Sequence, residues 1–404
     1  MSGRREAILP QSRHVLKIVS TTWNRVAEDL FDFEAEDVTT QSFSLAQADR
    51  WPTTWITRVG NVVSLAPASE LASGPDSRGV SDTGETLACC QWQDDGSVHL
   101  DRPAAVTGTR RQWLVIRGRE GGHSLSEEEV IKLGFFKFRV RQLVASADDG
   151  AQPDLRMNSP ELDRSDIDMD EVQDGDQLSC RICLMEGSTR EDPLVRPCQC
   201  RGTIEYVHVG CLRLWIEDRL DTRGREHGSY HWRPLPCELC KTIYPAYCRS
   251  VRDGTREPLV QVPQTEPPYI VLENMTKDTH VHSARGLRII SLAGGRTVKL
   301  GRGSDNDVSI SDVSTSRLHA TLRFKGGKFV IEDEKSKFGT FVTMRRLPPL
   351  GPGSGMSIQV GRTILRLTVQ VPDVAARGLA EQDDVKSVST CEDTAGDDEE
   401  IISI

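Results

Sequence analysis

Cys180-Arg-Ile-Cys183, Cys198-Gln-Cys200, His208-Val-Gly-Cys211 and Cys237-Glu-Leu-Cys240 form four tight pairs of soft ligands between positions 180 and 240. Thiolate and imidazole at this density are the donor set of tetrahedral zinc, and eight ligands suffice for two Zn2+ ions. With every position taken by protein, neither ion keeps the open site that catalytic zinc needs for water, so the metal is expected to be structural. A segment this short has almost no core of its own. Structural zinc, worth roughly 10–16 kcal/mol per site, is expected to act directly as its folding energy.

A second set of residues suits phosphate. Gly301-Arg302-Gly303-Ser304 comes first, then Ser316-Arg317-Leu318-His319, then Ser336-Lys337-Phe338-Gly339-Thr340. Guanidinium, hydroxyl and ammonium groups are the charge-assisted donors a phosphate needs, and arginine offers them as a planar fork.

These two sets need elements to carry them. The chain has 404 residues, long enough for two or three domains, and only 5% are aromatic, which argues against one large core. Its formal net charge of -10 argues against a general nucleic-acid binder, whose affinity comes from Lys and Arg on phosphates. Of 11 cysteines, Cys89, Cys90, Cys248 and Cys391 fall outside the ligand pairs and read as ordinary reduced thiols. No apolar run approaches the roughly 18–20 residues needed to span a bilayer, and the N-terminus lacks the apolar core of a secretory signal. The expectation is a soluble cytoplasmic or nuclear protein with no membrane and no nucleic-acid partner.

Composition divides the chain. Residues 1–145 contain strand-like runs at His14-Val-Leu-Lys-Ile-Val, Trp113-Leu-Val-Ile-Arg and Lys137-Phe-Arg-Val-Arg. Residues 146–177 are acidic, polar and poor in large apolar side chains, an expected disordered linker. The ligand pairs occupy 178–250, and a Pro-containing linker is expected at 251–266. From 267 to 371, short β-favouring runs such as Tyr269-Ile-Val-Leu, Leu287-Arg-Ile-Ile and Ala320-Thr-Leu-Arg-Phe alternate with turn residues, the pattern of a β-sandwich. Residues 372–404 form an acidic tail. One internal repeat stands out: Ile131-Lys-Leu-Gly134 followed by Phe138-Arg-Val matches Ile358-Gln-Val-Gly361 followed by Leu365-Arg-Leu without gaps. It admits two readings, a pair of unrelated Gly-turned hairpins or a degenerate N-terminal copy of the sandwich.

The ligand order, four cysteines, one histidine and then three cysteines, is shared by the PHD and RING-CH (RINGv) fingers. One residue separates Cys198 from Cys200 and seven separate Cys200 from His208, and the run from Cys198 to Trp215 resembles the RING-CH core. That resemblance implies cross-braced metals, with Cys180, Cys183, His208 and Cys211 on one zinc and Cys198, Cys200, Cys237 and Cys240 on the other. It further implies a small α+β module that binds a ubiquitin-conjugating enzyme (E2) and promotes ubiquitin transfer without a nucleophile of its own. Ile182, Trp215, Leu239 and Lys241 match the partner-contacting positions; Glu238 stands where many RING modules carry Pro. The phosphate-type loops, in order and between strands, resemble the forkhead-associated (FHA) domain, which implies an all-β sandwich recognising phosphothreonine. Arg302, Ser316, Arg317 and Lys337 match its ligand-facing positions, and His319 its loop brace. Phe338 departs from the family's Asn, which would bind the peptide backbone. The combined reading is a multidomain RING-CH E3 ubiquitin-protein ligase with an FHA specificity module and a β-rich, degenerate FHA-like N-terminal domain. A phosphopeptide-dependent scaffold without enzyme activity is the alternative, and a PHD-type chromatin reader a weaker third.

Overall fold

Strand β1 (Val15–Trp23) alternates buried Leu16 and Ile18 with more accessible Lys17 and Val19, the period-two signature of a strand with one face on a core. The computed structural model describes residues 14–24, 30–47, 53–67, 84–101, 111–146, 178–220, 229–233, 235–245, 247–259, 265–275, 286–343 and 347–371. The acidic segments expected at 146–177 and 372–404 lie almost wholly outside the described residues.

The N-terminal part continues with β2 (Val38–Ala46), β3 (Thr53–Val59), β4 (Val62–Pro67), β5 (Glu85–Trp92), β6 (Val98–Asp101), β7 (Gln112–Val115), β8 (His123–Ser124), β9 (Val130–Leu133) and β10 (Phe136–Val144). The ligand-rich segment holds β11 (Leu194–Val195), β12 (Val207–His208), helix α1 (Val209–Arg219), β13 (Ser229–Trp232), β14 (Tyr247–Arg249) and β15 (Arg256–Pro258). The C-terminal part supplies β16 (Tyr269–Asn274), β17 (Leu287–Ser291), β18 (Val298–Gly301), β19 (Val308–Ser309), β20 (Ala320–Lys325), β21 (Lys328–Asp333), β22 (Thr340–Thr343), β23 (Gly355–Val360) and β24 (Thr363–Gln370).

These strands do not sort by sequence. One long sheet runs β13-β17-β16-β10-β9-β22-β7-β23-β24-β1-β2. Beyond β13, it reads the same from either end. Two opening strands (β17-β16, or β2-β1) are followed by the terminal hairpin of the opposite part (β10-β9, or β24-β23), then by a central strand (β22 or β7). The two central strands pair antiparallel, with Val342 opposite Leu114. Two smaller sheets, β19-β18-β20-β21-β8 and β4-β3-β5-β6, share a single apolar core with the long one, through residues such as Ile18, Ile56, Leu300 and Leu322. The exchange extends to their edges. N-terminal His123 and Ser124 pair with Ile331 and Val330, and C-terminal Leu350 bridges to Val98.

The N-terminal part is therefore β-rich, and its strands interlace with those of 267–371 in one long sheet. The hairpins of the internal repeat are the exchanged elements, and Gly134 (φ +64°) and Gly361 (φ +54°) turn them in the left-handed region that favours glycine. Because both hairpins share one apolar pattern, either presents the correct face to either sheet.

Part of the linker expected at 251–266 is paired and packed. Arg256–Pro258 pair with Tyr247–Arg249, and Leu259 is buried. Nor is the ligand-rich segment coreless. Its Leu194, Val207, Leu212, Ile216, Tyr230 and Trp232 pack in one cluster with Val144, Tyr269, Val271, Leu287 and Ile289 of the long sheet. Strand β13 extends that sheet outward from β17, so the ligand-rich module is built onto the sandwich.

Candidate metal centres and phosphate-facing loops

Two ligand sets come together. The ligand atoms of Cys180, Cys183, His208 and Cys211 all lie within 4.8 Å of one another, and so do those of Cys198, Cys200, Cys237 and Cys240. Ligands about 2.3 Å from a tetrahedral zinc stand about 3.8 Å apart, and Cys200 Sγ and Cys237 Sγ are separated by 3.8 Å. In the other set Cys183 Sγ lies 3.3 Å from His208 Nδ1. His208 Nε2–H donates to the Gly187 carbonyl at 2.9 Å, which leaves Nδ1 with a lone pair for a metal.

Thiol chemistry fits the same assignment. The Met185 N–H and the His208 ring hold Cys183 down at about 7. Burial pulls Cys237 upward, but the Cys240 N–H, the Tyr244 hydroxyl and the Leu239 N–H outweigh it and bring this thiol to about 6. Burial pushes Cys198 in the opposite direction. Four neighbouring thiols cannot all ionise without positive charge among them, and a divalent cation supplies it.

Local structure explains the placement. Leu194–Val195 pair with Val207–His208, and the chain passes directly into α1. Val209, Leu212 and Ile216 line the buried face of that helix. Asp192 Oδ1 accepts the Gly210 N–H at 2.7 Å, satisfying one orphan donor at the helix start. A Cβ at Gly210 would stand 3.1 Å from that carboxylate.

Arg181 is a residue that sequence reasoning missed. Its guanidinium donates to Cys198 Sγ and Cys237 Sγ, both at 3.6 Å, and to the Ile204 carbonyl and Tyr244 hydroxyl, both at 2.9 Å. It thus ties the first ligand loop to the four-cysteine set and offsets part of that set's negative charge. The available signal was a cation inside a Cys-x-x-Cys loop.

Ile182 and Leu239 are exposed, at 43% and 59%. Trp215 is half-buried, with Tyr244 edge-on at 5.6 Å and the Arg219 guanidinium 4.2 Å above its ring. Arg219 also donates to Glu238 Oε1 at 2.6 Å. Contacts therefore run from Arg181, beside Ile182, through Tyr244, Trp215 and Arg219 to Glu238, beside Leu239. Lys241 is exposed, with φ +63°, and its ammonium donates to the Glu238 carbonyl at 2.9 Å.

The phosphate-type loops converge at one end of the C-terminal strands. Arg302 N–H donates to the Ser316 carbonyl and Gly303 N–H to the Arg317 carbonyl, both at 2.9 Å. The Arg302 side chain is exposed, with Nε 3.3 Å from the Thr315 carbonyl. Arg317 is exposed, and its carbonyl also accepts Asn306 Nδ2–H at 2.6 Å. Ser316 Oγ lies 3.0 Å from the Lys337 main-chain nitrogen. His319 is fully buried: its Nδ1 accepts the Ser316 N–H at 3.0 Å, and its Nε2–H donates to the Gly339 carbonyl at 3.1 Å. Both ring nitrogens are thus committed to bracing. The Lys337 ammonium is shared with carboxylates, 3.3 Å from Asp32 and 3.9 Å from Glu34. Phe338, half-buried, sits 5.7 Å below that same ammonium.

Comparison with known proteins agrees with this division. Residues 180–240 match the RING-variant domain and residues 298–364 the FHA domain. The chain carries both modules. Its ligand-rich region is similar to the E3 ubiquitin-protein ligase MARCHF7 of Rattus norvegicus, 36% identical over 74 residues that make up 18% of this chain and 10% of the relative. It is 45% identical to MARCHF1 of Homo sapiens over 62 residues, 15% and 17% of the two chains. With MARCHF8 of Xenopus tropicalis it shares 41% over 70 residues, 17% and 21%. The chain thus spans between a tenth and about a fifth of the length of these relatives. Among the described residues, no helix is long and apolar enough to cross a membrane.

Proposed function

We propose that this protein is a RING-CH-type E3 ubiquitin-protein ligase that acts away from membranes, in the cytoplasm or nucleus, on phosphothreonine-bearing targets. Two zinc ions close the ligand sets and supply folding energy. The RING-CH surface of Ile182, Trp215, Leu239 and Lys241 receives the E2, whose thioester carries the ubiquitin. Arg302, Ser316 and Arg317 receive the phosphate, with Lys337 at the rim. The observation that carries this reading is the contact chain from Arg181 to Glu238, which holds one aromatic and two exposed aliphatic groups as a small apolar anchor set of the kind protein partners use.

The shared core between this module and the long sheet adds a geometric consequence. The E2 and the bound target would be held on one body, so catalysis is positioning: a target lysine is presented to the thioester at high local concentration. The test is discharge of ubiquitin from a loaded E2 by the full chain. Wild type should stimulate it across a panel of conjugating enzymes, and Trp215→Ala should not. Equal behaviour of the two proteins throughout the panel would refute the reading.

One observation favours the second reading, a phosphopeptide-dependent scaffold. Glu238 places a carboxylate in the loop where many RING modules present Pro, and Arg219 engages it. Capture of phosphothreonine peptides without capture of any E2 would select this alternative.

A further inference from the structure

Both loops that face the phosphate site rest on the N-terminal part of the chain. In the first loop, Thr315 Oγ1–H donates to the Leu133 carbonyl at 3.2 Å, and Phe135 N–H donates to Ser314 Oγ at 2.7 Å. Gly134 between them allows this approach: a Cβ there would stand 2.3 Å from Ser314 Oγ and 2.7 Å from the Ser314 carbonyl oxygen. In the second loop, the Arg117 guanidinium donates to the Ser336 carbonyl and lies 4.6 Å from the centre of the Phe33 ring. Phe33 N–H donates to the Lys337 carbonyl at 3.1 Å, and its ring fills the space that a Cβ on Gly339 would need. Ile116 N–H donates to the Thr340 carbonyl at 2.9 Å. Asp32 and Glu34 hold the Lys337 ammonium.

We infer that the N-terminal part is the positioning frame of the phosphothreonine reader: Arg117 and Phe33 set the 336–339 loop, and the Gly134 turn sets the 314–317 loop. The inference rests on the phosphothreonine reading given above. Its physical basis is that a ligand-binding loop performs only when the residues behind it fix its geometry. Segment 298–364 contains the groups that touch phosphate but none of these supports. Arg117 and Phe33 are positioning residues: both bond to the 336–339 loop and lie against each other, and Phe33 is itself held edge-on by Phe31 at 4.6 Å. Arg117 does so with a bond that no aliphatic side chain replaces, because the Ser336 carbonyl needs a donor.

The test uses the full chain and a fluorescent mixture of phosphothreonine peptides, with its unphosphorylated counterpart as reference. Arg117→Ala should weaken phosphopeptide binding by on the order of tenfold, the loss typical when the support behind a ligating group is removed. Ubiquitin discharge should stay near wild type, while the thermal midpoint falls modestly because the Ser336 carbonyl loses its donor. Arg117→Lys, which keeps a donor and a cation over Phe33, should recover most of the binding. Thr315→Val removes only the hydroxyl that reaches Leu133 and should weaken binding in the same direction, so the inference stays testable if Arg117→Ala folds poorly. Amide hydrogen exchange over 336–339 supplies a ligand-free readout, and it should accelerate in Arg117→Ala. Unchanged exchange, or phosphopeptide binding equal to wild type in both Arg117→Ala and Thr315→Val, overturns the inference. Wild-type protein that fails to distinguish phosphorylated from unphosphorylated peptide, with exchange still accelerated by Arg117→Ala, overturns the phosphothreonine reading and leaves the positioning role supported.

Discussion

The main-chain N–H of Lys337 donates to Ser316 Oγ at 3.0 Å, joining the 314–317 and 336–339 loops. A serine hydroxyl has one proton to give and two lone pairs. Accepting from Lys337 uses one lone pair and leaves the proton to donate to a phosphate oxygen. Ser316 is therefore a brace whose hydroxyl proton stays available for the ligand role proposed above.

Ser316→Ala removes both roles, and a hydrogen bond to a charged group is worth about 1.5–3 kcal/mol. Phosphothreonine peptide affinity should fall by at least about tenfold. Ser316→Thr keeps the hydroxyl and should stay much closer to wild type. Fluorescence anisotropy on the three proteins decides this, and equal affinity in all three would remove Ser316 from the site.

His319 should give the stability of these loops a pH dependence. Burial is the main force lowering its affinity for a proton; Arg117 adds to it, while the Gly339 hydrogen bond and the Asp333 and Asp312 carboxylates oppose it. The folded state thus binds this proton less readily than the unfolded chain, whose value is near 6.5. Stability contributed by neutral His319 is complete above that value and is lost as pH falls below it. Protonation would also place a donor on Nδ1, where the ring now accepts the Ser316 N–H. The thermal midpoint of wild type should fall more steeply below about pH 6.5 than that of His319→Asn. Parallel profiles would show that His319 does not carry the effect.

Metal removal should reach beyond the ligand module. Purified protein should contain about two zinc equivalents. Chelation should unfold the module, given roughly 10–16 kcal/mol of folding energy per structural site. Because Leu212, Ile216 and Trp232 share one buried cluster with Val271, Leu287 and Ile289, that loss should also expose part of the long sheet. Zinc analysis, circular dichroism and binding of a hydrophobic dye measure each step. A module that keeps its structure without metal contradicts the assignment.

Arg219 separates stability from partner binding. Its bond to Glu238 is a surface ion pair, worth about 0–1 kcal/mol, so Arg219→Ala should change the thermal midpoint little. It should lower ubiquitin discharge several-fold, because the guanidinium over Trp215 holds the ring between helix and second ligand loop. Discharge rates equal to wild type would make Arg219 an ordinary surface residue.

The ligand sets could be read directly from the sequence. Zinc coordination demands particular donor types at short spacing, so Cys180 to Cys240 announced their chemistry before any fold was known. The C-terminal strands were legible for a similar reason, because residues 269–272 and 320–324 carry the apolar, β-favouring pattern of a buried sheet. Arg181 and Arg117 were not, since an arginine's partners lie far along the chain at Cys237 and Ser336. Which hairpin completes which sheet was decided only in three dimensions. Ile131-Lys-Leu-Gly134 and Ile358-Gln-Val-Gly361 present the same faces in the same register, so local pattern accepts either arrangement. The choice follows from how the whole chain buries its apolar faces, and that is a property no single segment carries.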